Sequence, residues 1–188
     1  MIRFSLFFIL FFVNTLSYCQ ADWKFNPKVG IGSTFLYNNP PNTSSTGKLG
    51  YEVDVLARYG NKLYGASGIE WSQTRTDLNG IGITGVVDIQ SITIPLIIGY
   101  GLSEYEDLNP RIYGGASWAF IASINENIEG VEKNDFHDSV LGLRAGVGLD
   151  LMIFSIDLEY EHSASPLFKD YNSTTYGRVK FTLGIVLK

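Results

Sequence analysis

The sequence lacks the features that mark several common classes of protein. Its 188 residues include one cysteine, Cys19, so a framework of intrachain disulfides is excluded. No apolar run is long enough for a membrane-spanning helix, which needs about 20 residues. The formal net charge is −5 and no basic stripe stands out, which argues against nucleic acid as a partner. Phosphate loops, zinc motifs and nucleotide fingerprints are absent from the sequence as well.

The N-terminus has the pattern of an export signal. A basic residue precedes the short apolar run Phe4–Val13, and small and polar residues follow. This order is typical of a secretory signal peptide. We expect a signal peptide at residues 1–19 and one outer-membrane β-barrel domain at residues 20–188, with cleavage after Ala21 as an alternative. Acylation of Cys19 is disfavoured, because the tyrosine before it is bulkier than an acylation motif tolerates.

The stretch Val140–Glu161 alternates with the two-residue period of β-strands on both sides of a turn near Met152–Ile153. One face is apolar throughout, whereas the other carries glycines and charges such as Arg144 and Asp157. An apolar face toward lipid and a polar face toward the interior are typical of membrane β-barrels. A soluble lipocalin-type barrel would invert the faces, and glycines on its wet exterior would serve no purpose.

Eight such strands are predicted, at residues 28–37, 50–59, 63–76, 87–100, 110–121, 140–151, 154–161 and 176–187. Long connections are expected at residues 38–49, 77–86, 122–138 and 163–175, and short ones near residues 60–62, 101–109 and 152–153. Alternating long loops and short turns predict an all-β, eight-stranded antiparallel up-and-down transmembrane β-barrel. Pro95 cannot donate to a strand ladder, so we also predict a bulge at that residue.

Aromatic residues near the strand ends predict two interfacial bands. The band at the long loops is expected to contain Tyr37, Trp71, Trp118, Phe120, Tyr160 and Tyr176. The band at the short turns is expected to contain Tyr59, Tyr64, Tyr100, Tyr113 and Phe154.

Charged residues on the inward faces are the candidate functional set. The twelve are Glu52, Asp54, Arg58, Glu70, Arg111, Arg144, Asp150, Asp157, Glu159, Glu161, Arg178 and Lys180. An eight-stranded barrel is just wide enough for its side chains to fill the interior. We therefore predict that these charges form a salt-bridge network that plugs the lumen, with Asp157 and Glu159 within reach of Arg144. The alternative is a narrow cation-biased pore for ions or small polar solutes.

The histidines indicate no enzyme, metal or cofactor site. His162 precedes Ser163 and has Ser165 three residues on, and both serines have the opposite strand parity, so a lipid-modifying enzyme with a His–Ser pair on one face is disfavoured. His137 lies beside two aspartates without the spacing of a metal site. We expect no catalytic residues, no metal ligands and no cofactor.

Four segments together resemble a known family: IPLIIGYGL at 94–102, NPRIYGGASWAF at 109–120, LGLRAGVGLDL at 141–151 and FSIDLEYEHS at 154–163. Their order and spacing are similar to the porin-like or PorT-like outer-membrane β-barrel proteins of Bacteroidetes. The resemblance implies an outer-membrane location without a cofactor and carries no agreed molecular activity. One departure is the end Val186-Leu187-Lys188, where many outer-membrane strands end on an aromatic residue.

A structural or surface-interaction role is the function expected for such a protein at the cell surface. The expected partners are outer-membrane lipid, the outer-membrane insertion machinery during assembly, and an extracellular ligand bound by the loops.

Overall fold

The computed structural model is a closed barrel in which eight antiparallel strands follow one another in chain order. It describes residues 22–38, 43–80, 83–103, 107–126, 136–169 and 174–188, so the predicted signal peptide lies outside the described residues. Pairing of the last strand with the first closes the barrel. Among the described residues, no helix is long and apolar enough to cross a membrane. The predicted eight-stranded antiparallel barrel is confirmed.

The strands are β1 (Trp23–Tyr37), β2 (Thr43–Gly60), β3 (Leu63–Gly80), β4 (Ile83–Gly101), β5 (Leu108–Glu126), β6 (Ser139–Leu151), β7 (Phe154–Ser163) and β8 (Thr175–Ile185). Connections after the odd-numbered strands meet at one end of the barrel, which we name the loop end. Connections after β2, β4 and β6 meet at the other, the turn end. Both chain termini join the turn end, where Phe25 N donates a hydrogen bond to Leu187 O.

Side chains alternate between the interior and the outer surface along each strand. On β7, Asp157, Glu159 and Glu161 are buried, whereas Leu158 and Tyr160 between them are exposed. Because successive strand residues point to opposite faces, one choice of parity sends all three acids of β7 inward and its large apolar residues outward. The outer surface is therefore covered by valine, isoleucine, leucine and aromatic side chains.

Two short turns close hairpins where the sequence predicted them. The β2–β3 turn consists of Asn61 and Lys62, and Gly60 before it has a φ of 119°, which favours glycine. The β6–β7 turn consists of Met152 and Ile153, and Met152 has a φ of 52°. Two-residue hairpin loops need such left-handed positions to match the twist of the flanking strands.

Several strands are longer than predicted at the loop end. Residues 43–49, 77–80, 83–86 and 122–126, expected in loops, belong to strands β2 to β5. These four strands span 18 or 19 residues, whereas about 9–11 suffice to cross a bilayer. Because the extensions pair with each other, as in Lys48↔Arg75, their backbone groups are satisfied within the sheet despite polar, turn-forming side chains.

The bulge predicted at Pro95 was wrong. The β3–β4 ladder keeps one register on both sides of the proline, from Ser67↔Leu96 to Glu70↔Thr93. Ser67 Oγ donates a hydrogen bond of 2.7 Å to Pro95 O, so the proline carbonyl is satisfied from a side chain. The register shift in β4 lies instead between Gln90 and Ser91, on the side that faces β5.

Three tyrosines predicted in the aromatic bands lie inside the barrel: Tyr64, Tyr113 and Tyr176. Tyr64 and Tyr113 are buried, and Tyr176 O–H donates a hydrogen bond of 3.0 Å to Glu161 Oε1. Strand parity overrides nearness to a strand end, because a residue at either end still points to one face only. The other predicted band residues lie at the outer surface, together with Trp23, which was not predicted.

An apolar cluster fills the interior at the loop end. It consists of Val87, Phe136, Val140, Leu167 and Phe168, which we name the loop-end cluster. Phe136 and Phe168, from the β5–β6 and β7–β8 connections, form an isolated bridge and place their ring centroids 4.6 Å apart. Two connecting segments thus fold into the mouth of the barrel and bury apolar side chains there.

Candidate functional site

The structure places all twelve candidate charges inside the barrel, each with an exposed fraction of 8% or less. It adds one base that the sequence analysis missed, Lys28, which is also buried. Lys28 shares the parity of the inward residues of β1, so strand alternation could have predicted its place in the interior. The predicted strand began at Lys28 and this residue was not counted among the inward charges, whereas β1 begins at Trp23.

Arg144 is the centre of the larger cluster of ion pairs. Its Nη1 and Nη2 donate to Glu70 Oε1 and Oε2 at 2.6 and 2.9 Å, a bidentate pair from β6 to β3 across the lumen. Nη2 also contacts Glu161 Oε2 at 3.1 Å, and Nη1 lies 3.5 Å from Glu159 Oε1. The guanidinium offers a rigid fork of donors, which suits several carboxylates at once.

Lys180 and Arg178 extend this cluster to β8 and β2. Lys180 Nζ lies 3.0 Å from Glu159 Oε1, 3.3 Å from Glu70 Oε2 and 3.8 Å from Glu52 Oε2. Arg178 donates to Glu52 through Nη2. The cluster therefore joins five strands, β2, β3, β6, β7 and β8, through charged groups alone.

A second cluster lies nearer the turn end. Arg111 contacts Asp150 Oδ1 at 3.1 Å and Asp157 Oδ1 at 2.6 Å. Arg58 Nη1 reaches Asp150 Oδ2 at 2.8 Å, and Lys28 Nζ reaches Asp157 Oδ2 at 2.8 Å. Together these two carboxylates join bases from β1, β2 and β5, so this cluster also spans the interior.

The expected contact between Arg144 and Asp157 was wrong, whereas that with Glu159 is present. In the β6–β7 ladder Arg144 lies opposite Glu161, and Asp157 lies opposite Gly148. Four residues of strand correspond to about 13 Å, which takes Asp157 into the other cluster. Only the register separates these alternatives, since all the acids on β7 share one parity.

Glycines on the inner face leave room for the charged side chains. A Cβ atom on Gly142 would lie 2.5 Å from Ser117 Oγ and 2.9 Å from Glu161 Oε1. A Cβ atom on Gly146 would lie 2.5 Å from Tyr113 Cζ. Side chains at these positions would displace groups that the interior already holds, which is why the polar face of β6 alternates charge with glycine.

The histidines lie apart from this interior network. His162 is on the outer side, with its ring centroid 5.6 Å from that of Tyr37, whereas Ser163 is buried and accepts a hydrogen bond from Tyr176 N. His137 N donates to Leu167 O at 3.0 Å. No group of three potential metal ligands occurs among the described residues.

The described interior holds seven buried acids and six buried bases. Asp54 takes part in none of the ion pairs above, and its Oδ1 has no hydrogen-bond partner. It lies opposite Glu70 in the β2–β3 ladder, where like charges repel. Lys28, its register partner on β1, directs its Nζ to Asp157 instead. Asp54 is therefore the one buried acid of the described interior that belongs to neither cluster of ion pairs.

Removal of Arg144 should destabilise the barrel strongly. Arg144→Ala leaves three buried carboxylates without their shared partner, which costs about 3–5 kcal/mol in the free energy of unfolding. Arg75→Ala is the matched control, because the Arg75–Asp88 pair is half exposed and worth at most about 1 kcal/mol. Urea unfolding in lipid vesicles measures both, and equal losses would contradict a central role for Arg144.

Asp54→Asn should leave stability unchanged or raise it, because it removes an unpaired acid beside Glu70. Asp157→Asn, the same chemical change at an acid with two basic partners, should lower the free energy of unfolding by about 3 kcal/mol. The same urea titrations compare the two variants. A loss at Asp54 as large as that at Asp157 would show that Asp54 is an integral member of the network.

The barrel resembles solved structures of bacterial outer-membrane proteins. Neisserial surface protein A matches 88% of this chain and 97% of its own, with a TM-score of 0.55 and 13% identity. The outer-membrane protein OprG from Pseudomonas aeruginosa matches 87% of this chain and 95% of its own, with a TM-score of 0.51 and 12% identity. No family model matches the sequence, and the comparison with curated proteins gives no match. At these identities the likeness establishes the fold, a closed eight-stranded antiparallel barrel.

Proposed function

We propose that this protein is a small integral outer-membrane barrel with a structural or surface-interaction role and a lumen plugged by its ion pairs. The observation that carries the proposal is the bidentate Arg144–Glu70 pair, which crosses the lumen with both side chains buried. A conducting pore needs a continuous polar path filled with water. Here charged groups bond to each other across that path.

The apolar outer surface supports a membrane location. Leu96, Ile98 and Leu143 are each at least 60% exposed, and similar rows cover every strand. Soluble monomers rarely expose contiguous apolar patches larger than a few hundred Å². Because lipid offers no partner to backbone groups, a spanning sheet must close on itself, as this one does.

Exposed aromatic residues near both ends of the barrel also support this location. Tyr59, Tyr100 and Phe154 lie near the turn end, and Tyr37 and Tyr160 lie near the loop end. Aromatic side chains of this kind are enriched where a membrane meets water. The two sets are separated by strands whose outward residues are mainly aliphatic.

The proposal includes membership of the porin-like or PorT-like family of Bacteroidetes, which rests on the sequence segments alone. It also includes export through a signal peptide at residues 1–19, and a role that involves no catalysis or cofactor. Outer-membrane lipid and the insertion machinery are the proposed partners, with an extracellular ligand at the loop end.

Membrane residence is tested by fractionating cells that express the full chain and by gel electrophoresis without boiling. We expect the protein in the outer-membrane fraction, extractable only by detergent, with a band that shifts when the sample is heated. Intact small barrels keep their hydrogen-bonded sheet in the gel until heat unfolds them. Recovery of the protein from the periplasm without detergent would contradict the proposal.

Conduction is tested by planar-bilayer recording of the purified protein. We expect no discrete conductance steps from the wild type, because cross-lumen ion pairs block the path. The variant Arg144→Ala with Glu70→Ala removes the central pair and should also show no steps, because the cluster around Arg111, Asp150 and Asp157 still spans the lumen. Cation-selective steps from the wild type would instead establish the narrow pore as its function.

A further inference from the structure

A half-enclosed cavity of about 60 Å³ lies inside the barrel where the ion-pair network meets the loop-end cluster. Val87, Ile121 and Phe136 contribute to its walls, and Thr34 and Arg178 line it from the polar side. The described residues therefore form a chamber with apolar walls and a polar floor, distinct from the ion pairs themselves.

The inward rows change from polar to apolar toward the loop end, which produces this chamber. Thr34 lies opposite Arg178 in the β1–β8 ladder, and the next inward pair is Leu36 opposite Tyr176. On β4 the inward row passes from Thr93 through Ser91 to apolar residues. The same strands therefore supply the polar floor and most of the apolar wall. On β3 the wall keeps two hydroxyls, Thr74 and Thr76, which lie opposite Ile89 and Val87.

The floor contains a hydroxyl without a partner. Thr34 is 6% exposed, and its Oγ1 has no hydrogen-bond partner. A buried polar group left without a hydrogen bond carries a free-energy cost that a ligand can remove. Arg178 is already committed, since it donates to Ser72 Oγ at 3.2 Å and to Glu52. The floor therefore offers an uncharged hydrogen-bonding group and no free positive charge.

We infer that this cavity binds a small, uncharged molecule with an apolar body and a single hydroxyl, such as a short-chain alcohol. The hydroxyl bonds to Thr34 Oγ1, and the carbon chain packs against Val87, Ile121 and Phe136. A volume of about 60 Å³ is less than half of the ~150 Å³ that holds benzene. Alcohols of about two or three carbons come closest to this size.

The inference goes beyond the proposed structural or surface-interaction role and does not depend on it, because every residue that carries it lies inside the barrel. The network on the turn-end side of the cavity closes the lumen, so a ligand enters and leaves on the loop-end side. The cavity is consequently a binding site and not a segment of a transport path.

The test uses the full-length protein in lipid nanodiscs, with labelled methyl groups, titrated with 1-propanol. We expect saturable chemical-shift changes at Val87, Val140 and Leu167, which face the interior. Methyl groups of Val53 and Leu158, which face outward, report any alcohol dissolved in the lipid. Linear changes of equal size on both sets, or no change at the inward methyls, would overturn the inference.

Thr34→Val tests the hydroxyl contact and should weaken 1-propanol binding about two- to tenfold, the range that one hydrogen bond supplies. Thr182→Val is the matched control, because Thr182 is equally buried and its Oγ1 also lacks a partner, but it does not line the cavity. The control should bind as the wild type does. Equal affinities of the two variants would show that Thr34 does not contact the ligand.

Two further titrations of the wild type need no variant. Affinity should rise from ethanol to 1-propanol and then stop rising, because the cavity is full. Propionate should not bind, since Arg178 has no free charge to offer. A steady rise to 1-octanol would overturn the size limit, and tighter binding of propionate would overturn the uncharged ligand class.

Discussion

Pairing of charge inside a narrow barrel is the constraint on which this structure depends, and the Arg144–Glu70 ion pair shows how it operates. A charged group that is buried away from water and left without a partner carries a large free-energy cost. An interior about one side chain wide brings β6 within reach of β3. The Arg144 guanidinium uses both of its terminal nitrogens on Glu70 and still contacts Glu161. The strands are thus tied across the lumen as well as along the sheet.

The register of the strands determines which charges meet. A shift by one residue would turn every inward acid of β7 toward the outer surface, so the apolar exterior and the charged interior enforce the same alignment. A shift by two residues would keep the faces but replace Glu161 with Glu159 or Ser163 opposite Arg144. The ion pairs therefore distinguish registers that the hydrophobic pattern alone leaves equivalent. Gly142 supports this register, because a Cβ atom there would crowd Glu161.

The parity of each strand could be predicted from the alternation of polar and apolar residues. The strand count and the inward direction of the charges both followed from it. The partners of those charges could not be predicted, because a cross-lumen contact depends on the stagger of all eight strands. Asp157 illustrates this limit: it has the expected parity but lies one cluster away from Arg144. Tyr64 shows a different error: it was predicted in an outer aromatic band because it lies near a turn, whereas its parity places it inside the barrel. Strand extensions such as residues 43–49 were missed because their polar composition is typical of a loop, and only pairing with the neighbouring strand makes them part of the sheet.

The two halves of the interior depend on each other physically. Ion pairs strengthen as the surrounding dielectric constant falls, and water at the loop end would weaken the Arg178–Glu52 pair first. Phe136 and Phe168 fold into that mouth and cover part of it with apolar side chains, which limits the entry of water. In return, the network holds β6 and β8, which contribute Val140 and Tyr176 to the mouth. The loop-end cluster lowers the dielectric constant around the ion pairs, and the ion pairs fix the strands that surround the cluster. Each therefore stabilises the other.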